Sequence, residues 1–185
     1  MPILRKEPTI FPDDLLDAPA PPGDDRHWQV LYTKARQEKA LARELLQSGV
    51  PFYLPLVAKE TVRRGRRIAS HIPLFMGYVF LLGNDDDRLR TMQTNRISRV
   101  LDVDDSESLV YDLRQIRQLI ASGAPLTVES RLVPGDRVRV KHGPFAGLEG
   151  TVLQRRGKTR LLVAVNFLQQ GASVEVDDFY LDPIG

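Results

Sequence analysis

A glycine lies inside the apolar and aromatic run of residues 73–80, which reads Pro-Leu-Phe-Met-Gly-Tyr-Val-Phe. Glycine inside a strand often marks a place where another backbone or a partner surface approaches closely. Further along the chain, the turn Pro134-Gly135 precedes charged and apolar residues that alternate over residues 137–141. A period of two is typical of a half-buried strand. The two signals together predict two linked modules that contain β-structure.

The length and composition of the chain exclude several classes of protein. A chain of 185 residues has room for one ordinary domain and a small second one. Because cysteine is absent, the chain has no disulfide, no catalytic thiolate and no cysteine ligand for zinc. No apolar run approaches the roughly 18 residues that span a bilayer, and the N-terminus does not resemble a signal peptide. We therefore predict a soluble, cytoplasmic protein that does not associate with membranes.

Charge and proline are unevenly distributed along the chain. The net charge is only +2, yet residues 1–26 contain six acidic residues and six of the 13 prolines. This composition predicts a flexible arm over residues 1–26, although the apolar residues within 10–16 leave open a short docked segment. Residues 59–67, in contrast, carry five positive side chains and one glutamate. Such local patches, rather than the net charge, are expected to select the partners.

The hydrophobic pattern predicts a mixed first module and a second module rich in β-structure. In the first module it favours strands at residues 27–33, 52–61, 68–82 and 96–103, and helices at 34–48, 84–94 and 106–122. The clearest helix is the last, in which one apolar face carries Leu109, Leu113, Ile116 and Ile120. In the second module it favours short strands at residues 137–141, 150–154, 160–166 and 173–176, as in a small barrel.

Several motifs, taken in order, resemble the NusG family of transcription elongation factors, which includes specialised paralogues of the RfaH type. They lie at residues 27–32, 62–67, 73–80, 134–140, 143–150 and 174–176. The resemblance covers residues 27–184 and implies an α+β fold. Residues 27–122 would form an NGN domain, an α/β sandwich with an antiparallel sheet. A linker over 123–130 would lead to a five-stranded SH3-like KOW β-barrel over 131–185, while residues 1–26 stay outside the family core.

The resemblance implies a monomeric elongation factor that binds RNA polymerase and modulates pausing, termination and antitermination. Tyr32 and Phe75, with Val103 as a third member, fall where the family presents side chains to the clamp helices of the polymerase. Aromatic anchors of this kind dominate many protein interfaces. The segment containing Arg88 and Arg90 aligns with the contact to the polymerase gate loop.

The resemblance also implies contacts with nucleic acid and with a second machine. In RfaH-like members, the junction between the first strand and the first helix reads a displaced single strand, and here it carries Lys34, Arg36 and Gln37. The hairpin tip would approach upstream or non-template DNA with Arg63, Arg64, Arg66 and Arg67, since a planar guanidinium can bind two phosphate oxygens. The loop containing Phe167 and Leu168 corresponds to the one that general NusG proteins offer to Rho or to a ribosomal small-subunit protein.

Two residues depart from the family pattern. Glu44 places a negative charge where the sequence-reading paralogue has a basic or imidazole side chain, which argues against sequence-specific recruitment. Met76 stands where the family usually has proline, which loosens the turn while keeping the neighbouring glycine.

No catalytic, metal or cofactor site is predicted. The acidic residues 85–87 follow Asn84 at the start of a helix, where the helix dipole favours negative charge, and the three histidines are widely scattered. Two alternatives stay open at this point. One is a ribosome-associated KOW protein that binds RNA through Arg137, Arg139, Lys141 and residues 155–158. The other is a metal-dependent nuclease that uses residues 85–87.

Overall fold

The computed structural model describes residues 6–185, so that the first five residues of the predicted arm lie outside the described part. The chain forms two compact units, Met1–Ser106 and Glu107–Gly185. The predicted mixture of helices with antiparallel sheets is confirmed. None of the helices in residues 6–185 is both long and apolar enough to cross a membrane.

The first unit is built on a five-stranded antiparallel sheet and a separate two-stranded hairpin. In order along the sequence, the elements are β1 (Ile10–Phe11), β2 (His27–Thr33), α1 (Glu38–Gln47), β3 (Phe52–Tyr53), β4 (Leu56–Arg63), β5 (Arg66–Pro73), β6 (Tyr78–Gly83), α2 (Asp85–Gln93) and β7 (Ile97–Asp102). The strand order in the sheet is β1-β3-β6-β2-β7, and β4 and β5 form the hairpin.

One face of this sheet packs against α1. The helix contributes Leu41, Ala42 and Leu45, whose spacing gives it one apolar face. The strands and the following loop contribute the rest of the core cluster, namely Leu31, Val50, Phe52, Leu54, Leu56, Val79 and Leu81. The helix begins four residues later than the pattern predicts, because Arg36 adopts a positive φ of 61° and interrupts the helical backbone. This turn places residues 34–37 at the surface, between β2 and α1.

The acidic residues 85–87 form the first turn of α2, as the sequence predicts. Asn84 Oδ1 accepts a hydrogen bond from the Asp87 amide at 3.0 Å, and Asp87 Oδ2 accepts one from the Asn84 amide at 3.1 Å. Such a reciprocal capping pair satisfies two backbone donors that would otherwise lack partners at the helix start. The carboxylate of Asp87 thus has a structural role, which weakens the interpretation of this cluster as a nuclease centre.

The N-terminal arm differs from the flexible segment that its composition predicts. Ile10 and Phe11 pair with β3 and so add a fifth strand to the sheet edge. Thr9 forms two hydrogen bonds with Leu54: its carbonyl accepts from the Leu54 amide at 2.6 Å, and its hydroxyl donates to the Leu54 carbonyl at 2.6 Å. Leu16 is completely buried. The docked segment that the sequence left open is therefore present, and it belongs to the first unit.

The second unit contains helix α3 (Ser106–Ala121), whose first residue closes the first unit, and six strands. These are β8 (Thr127–Glu129), β9 (Arg137–Val140), β10 (Glu149–Arg155), β11 (Lys158–Val165), β12 (Gln170–Glu175) and β13 (Leu181–Pro183). They form one antiparallel sheet in the order β13-β9-β10-β11-β12-β8. This sheet differs from the predicted five strands, because β8 arises within the predicted linker and β13 is added near the C-terminus. Its description as a KOW barrel stays a prediction.

Candidate functional site

An exposed tyrosine stands on the sheet of the first unit, at the position where the sequence predicts a polymerase contact. Tyr32 is 41% exposed although its neighbours in β2 are almost all buried. Its ring centroid lies 5.2 Å from that of Tyr78, the first residue of β6. The paired strands thus hold two tyrosine rings side by side.

Gly77 provides the space in which the Tyr32 ring lies. A Cβ atom at Gly77 would stand 3.0 Å from Tyr32 Cε2, and the φ of +88° is one that other residues rarely adopt. The Gly77 carbonyl accepts a hydrogen bond from the Thr33 amide at 2.8 Å. The Gly77 amide donates to Glu38 Oε1 at 2.7 Å. The close approach that the glycine indicates is therefore made by the Tyr32 ring, which packs against the Gly77 backbone.

The second predicted aromatic anchor is corrected by the structure, because the Phe75 side chain is only 1% exposed. The run of residues 73–80 is not one continuous strand: β5 ends at Pro73, a turn follows, and β6 begins at Tyr78. Within that turn Phe75 lies inside the core and Met76, which is 77% exposed, lies outside. The surface near Tyr32 therefore presents the flexible methionine in place of the phenylalanine ring.

The other predicted polymerase contacts lie on α2 and just beyond β7. Arg88 forms an ion pair with Asp102 at 3.3 Å, whereas Arg90 is exposed. Val103, just beyond β7, is half-buried. Two apolar side chains of α2, Leu89 and Met92, are more than half exposed and were not selected by sequence reasoning. Their spacing of three on a short polar helix is the signal that could have indicated them.

The junction between β2 and α1 is organised by an arginine from the loop before β7. Arg96 donates to Gln37 Oε1 at 2.5 Å and to Glu44 Oε1 at 3.0 Å. Glu44 is therefore the ion-pair partner of Arg96, which explains the negative charge that departs from the family pattern. The side chain of Lys34 donates to Asn95 Oδ1 at 2.7 Å, while Arg36 is exposed. Of the predicted nucleic-acid contacts at this junction, Arg36 has the most available side chain.

The four predicted arginines of the β4-β5 hairpin come together at its tip. Arg63 and Arg66 are paired in register, and the two residues between them, Arg64 and Gly65, have φ values of 50° and 75°. Positive φ at both positions is typical of a tight two-residue hairpin turn. All four arginines, which also include Arg67, are exposed, and none forms an ion pair within residues 6–185. The tip is thus a concentrated and unneutralised positive charge.

Several cations of the second unit form ion pairs, in contrast to those of the hairpin. Four of the side chains that the RNA-binding alternative requires form ion pairs: Arg139 with Glu149, Lys141 with Asp182, Arg155 with Glu129, and Lys158 with Glu175. Phosphate binding depends on cations that are free to replace counterions. The observed pairing therefore leaves this surface with less charge to offer an RNA backbone.

The predicted recognition loop of the second unit lies between β11 and β12. Residues Asn166–Leu168 form a short 3-10 helix, and Gln169 follows with a left-handed backbone. Phe167 is 37% exposed and Leu168 is half-buried. Both predicted apolar residues are thus brought together in one loop, with the ring of Phe167 the more accessible.

Helix α3 contacts the same sheet through a polar stripe that sequence reasoning missed. Tyr111, Gln115 and Gln118 lie at i, i+4 and i+7, and each forms a hydrogen bond with the region around the start of β10. The Gln115 side chain both accepts from the Glu149 amide at 2.8 Å and donates to the Glu149 carbonyl at 3.1 Å. The spacing of these uncharged polar residues along the helix was the only sequence signal for this contact. It was not sufficient, because a helix face exposed to solvent can show the same spacing.

Two hydrogen bonds to the Glu149 carboxylate favour its ionised form. The hydrogen bond from Arg139 lowers the pKa of Glu149, and the hydrogen bond from Tyr111 lowers it further. Burial and this hydrogen bond raise the pKa of Tyr111. At neutral pH the glutamate is therefore an ionised acceptor and the tyrosine a protonated donor, as the observed contact of 2.8 Å requires.

Comparison with known proteins identifies the family of the chain. The family model described as "NusG: Transcription termination factor nusG" matches residues 26–133, more than half of the chain. This match confirms the family that the sequence motifs predict. Among solved structures, a chain of the "Crystal Structure of MjSpt4:Spt5 complex conformation B" is similar over 85% of this chain and 97% of that chain, with 13% identity and a TM-score of 0.29. A TM-score and a sequence identity this low support no conclusion about the fold or function of this chain.

Proposed function

The chain belongs to the NusG family of transcription factors, and we propose that it is a non-catalytic elongation factor that binds RNA polymerase and shortens its pauses. The observation that carries the proposal is the Tyr32 ring, which is 41% exposed and packs against Gly77 and Tyr78 on the sheet of the first unit. An aromatic ring already held in position loses little freedom on binding. Such a ring suits the groove between the clamp helices of the polymerase.

The surface around Tyr32 would be completed by Met76 and the neighbouring Tyr78 ring. Methionine adapts to an irregular apolar partner because its side chain is unbranched and polarizable. Since Met76 is 77% exposed, it takes the role at this surface that sequence reasoning gave to Phe75. The exposed Arg90 and the half-buried Val103 are proposed as more peripheral contacts.

A pause-lifetime assay tests the proposed activity. Purified polymerase is halted at a defined pause site, and the lifetime of the paused complex is measured at increasing concentrations of this protein. We expect the lifetime to shorten and to level off as the polymerase becomes saturated. A lifetime that stays constant while the chain is demonstrably bound would contradict the proposed effect on pausing.

The hairpin tip is proposed to contact upstream or non-template DNA through Arg63, Arg64, Arg66 and Arg67. Replacing all four by glutamine should weaken binding to DNA with an unpaired bubble. It should also flatten the dependence of log K on log salt by about 0.7–0.9 for each arginine that contacts phosphate. The measurement is fluorescence anisotropy over a series of KCl concentrations.

The chain offers a matched control for this prediction in a second basic hairpin, β10-β11. Arg156 and Gly157 have φ values of 51° and 74°, so that Arg156 occupies the same turn position as Arg64. Arg64→Gln should reduce the salt slope, whereas Arg156→Gln should leave it unchanged. Equal reductions in the two variants would show that DNA binding reflects positive charge in general and has no preference for the first hairpin.

The second unit is proposed to act as a KOW domain that recruits a second machine through the loop containing Phe167 and Leu168. Rho and a ribosomal small-subunit protein are the candidate partners, and they correspond to roles in termination and in coupling to translation. The exposed Phe167 ring supports this proposal, since exposed aromatic residues are enriched at binding hot spots.

A further inference from the structure

Asn166 holds together the loop that presents Phe167 and Leu168. Its carbonyl accepts hydrogen bonds from both nitrogens of Gln169, the backbone amide at 3.1 Å and the side-chain Nε2 at 2.7 Å. The two apolar residues lie between these bonded residues. On its other side, Asn166 follows directly after the last residue of β11. The conformation of the loop therefore depends on how Asn166 itself is held.

Asp112 of α3 holds Asn166 from outside the loop. Its Oδ2 accepts a hydrogen bond from the Asn166 backbone amide at 3.0 Å and another from the Asn166 side-chain Nδ2 at 3.2 Å. Asp112 is only 5% exposed, so water competes little for these bonds. The loop is thus anchored to a residue that lies 54 positions earlier in the chain.

The helix that carries Asp112 is itself fixed to the sheet. The paired hydrogen bonds of Gln115 with Glu149, and the bond from Gln118 to the Ala146 carbonyl at 3.0 Å, determine where α3 lies. The apolar side of the same helix, with Leu109, Leu113 and Ile116, is buried. Asp112 therefore lies on a helix that is held by both apolar packing and hydrogen bonds.

We propose that Asp112 is the positioning residue for the recognition loop, so that α3 and the C-terminal sheet build the partner-binding surface of the second unit jointly. The inference rests on the proposed function, because binding of a partner through this loop is part of that proposal. A loop held in its bound conformation before binding loses less conformational entropy when the partner arrives. Loss of the anchor should therefore weaken partner binding without removing any residue that the partner touches.

Hydrogen exchange in the free full-length protein tests the anchor without any partner. Asp112→Ala should speed exchange of the Asn166 amide at least about tenfold, because its acceptor is lost and local opening becomes easier. Asp112→Asn keeps an acceptor oxygen and should exchange close to the wild-type rate. Glu107→Ala, on an exposed position of the same helix, should have no effect. Exchange of the Asn166 amide in Asp112→Ala at the wild-type rate would overturn the proposal.

A second variant keeps the test decisive if Asp112→Ala fails to fold. Asn166→Asp places two carboxylates against each other, because Asp112 Oδ2 now faces a carboxylate where it accepted a hydrogen bond from Asn166 Nδ2. This variant should loosen the loop and speed exchange of the amide at position 166. Exchange of this amide at the wild-type rate in Asn166→Asp, with the β11-β12 amides still protected, would contradict the inference.

Binding measurements separate this inference from the proposed function. Purified Rho and the purified ribosomal small-subunit protein serve as probes. Asp112→Ala should weaken binding of the probe that the wild type binds, and Asp112→Asn should bind nearly as the wild type does. If Phe167→Ala leaves binding unchanged, the proposed role of the loop fails, while the exchange experiment still decides whether Asp112 positions it. Binding that needs Phe167 but is the same in Asp112→Ala as in the wild type would overturn the inference alone.

Discussion

Replacing Leu16 by alanine is expected to lower the free energy of unfolding of the first unit by about 2–5 kcal/mol, the usual cost of truncating a fully buried leucine. The side chain is completely buried although it lies in a proline-rich, acidic segment. Its removal leaves a cavity and also weakens the docking that keeps β1 on the sheet edge. Urea denaturation of the full chain, followed by tryptophan fluorescence, measures the effect, since the single tryptophan, Trp28, lies in β2.

Leu46→Ala is the matched control for this prediction. Leu46 is on α1 and is 42% exposed, so its truncation should change stability by less than about 0.5 kcal/mol. Equal and small effects of the two substitutions would show that the arm does not dock in solution. A large effect confined to Leu16→Ala would establish the arm as a structural part of the first unit.

The arm shows why composition alone was not sufficient to predict this region. Proline and acidic residues indicate disorder because such segments bury little apolar surface. Here Leu15 and Leu16 are both buried, and the backbone of Thr9 pairs with Leu54. These contacts are long-range, since Leu54 lies 45 positions after Thr9 in the sequence. Local sequence patterns do not show that β3 has an unpaired edge with which the arm can pair.

Elements with a long and regular hydrophobic period were the ones that the sequence predicted well. Strand β2 spans the predicted residues, and α3 ends one residue earlier than predicted. The hairpin and its arginine-rich tip were also predicted, because Gly65 indicates a turn position with a positive φ, which few other residues adopt. In each of these elements the local preference and the tertiary packing agree.

The orientation of individual side chains was predicted less well, and Phe75 is the clearest example. Treating residues 68–82 as one strand places alternate residues on alternate faces. The turn that ends β5 interrupts this alternation, so that Phe75 is buried and Met76 is exposed. The polar contacts of α3 were missed for a related reason, since a buried glutamine such as Gln115 cannot be distinguished from an exposed one by its spacing.

Truncation of Tyr32 is expected to have the largest effect on polymerase binding. Loss of a central aromatic anchor typically costs about 2 kcal/mol or more, which corresponds to about a thirtyfold rise in Kd. Tyr32→Phe keeps the ring on Gly77 and should bind nearly as well as the wild type. The Tyr32 ring is already 41% exposed, so its truncation should change stability less than the truncation of a buried residue.

The affinity of Tyr32→Ala for purified core RNA polymerase, measured beside Tyr180→Ala, tests the central claim most directly. Tyr180 is 43% exposed, nearly the same as Tyr32, but it lies in the second unit. We predict that Tyr32→Ala raises Kd about thirtyfold and that Tyr180→Ala leaves it unchanged. Wild-type affinity in a correctly folded Tyr32→Ala protein would contradict the proposal that this ring anchors the chain to the polymerase.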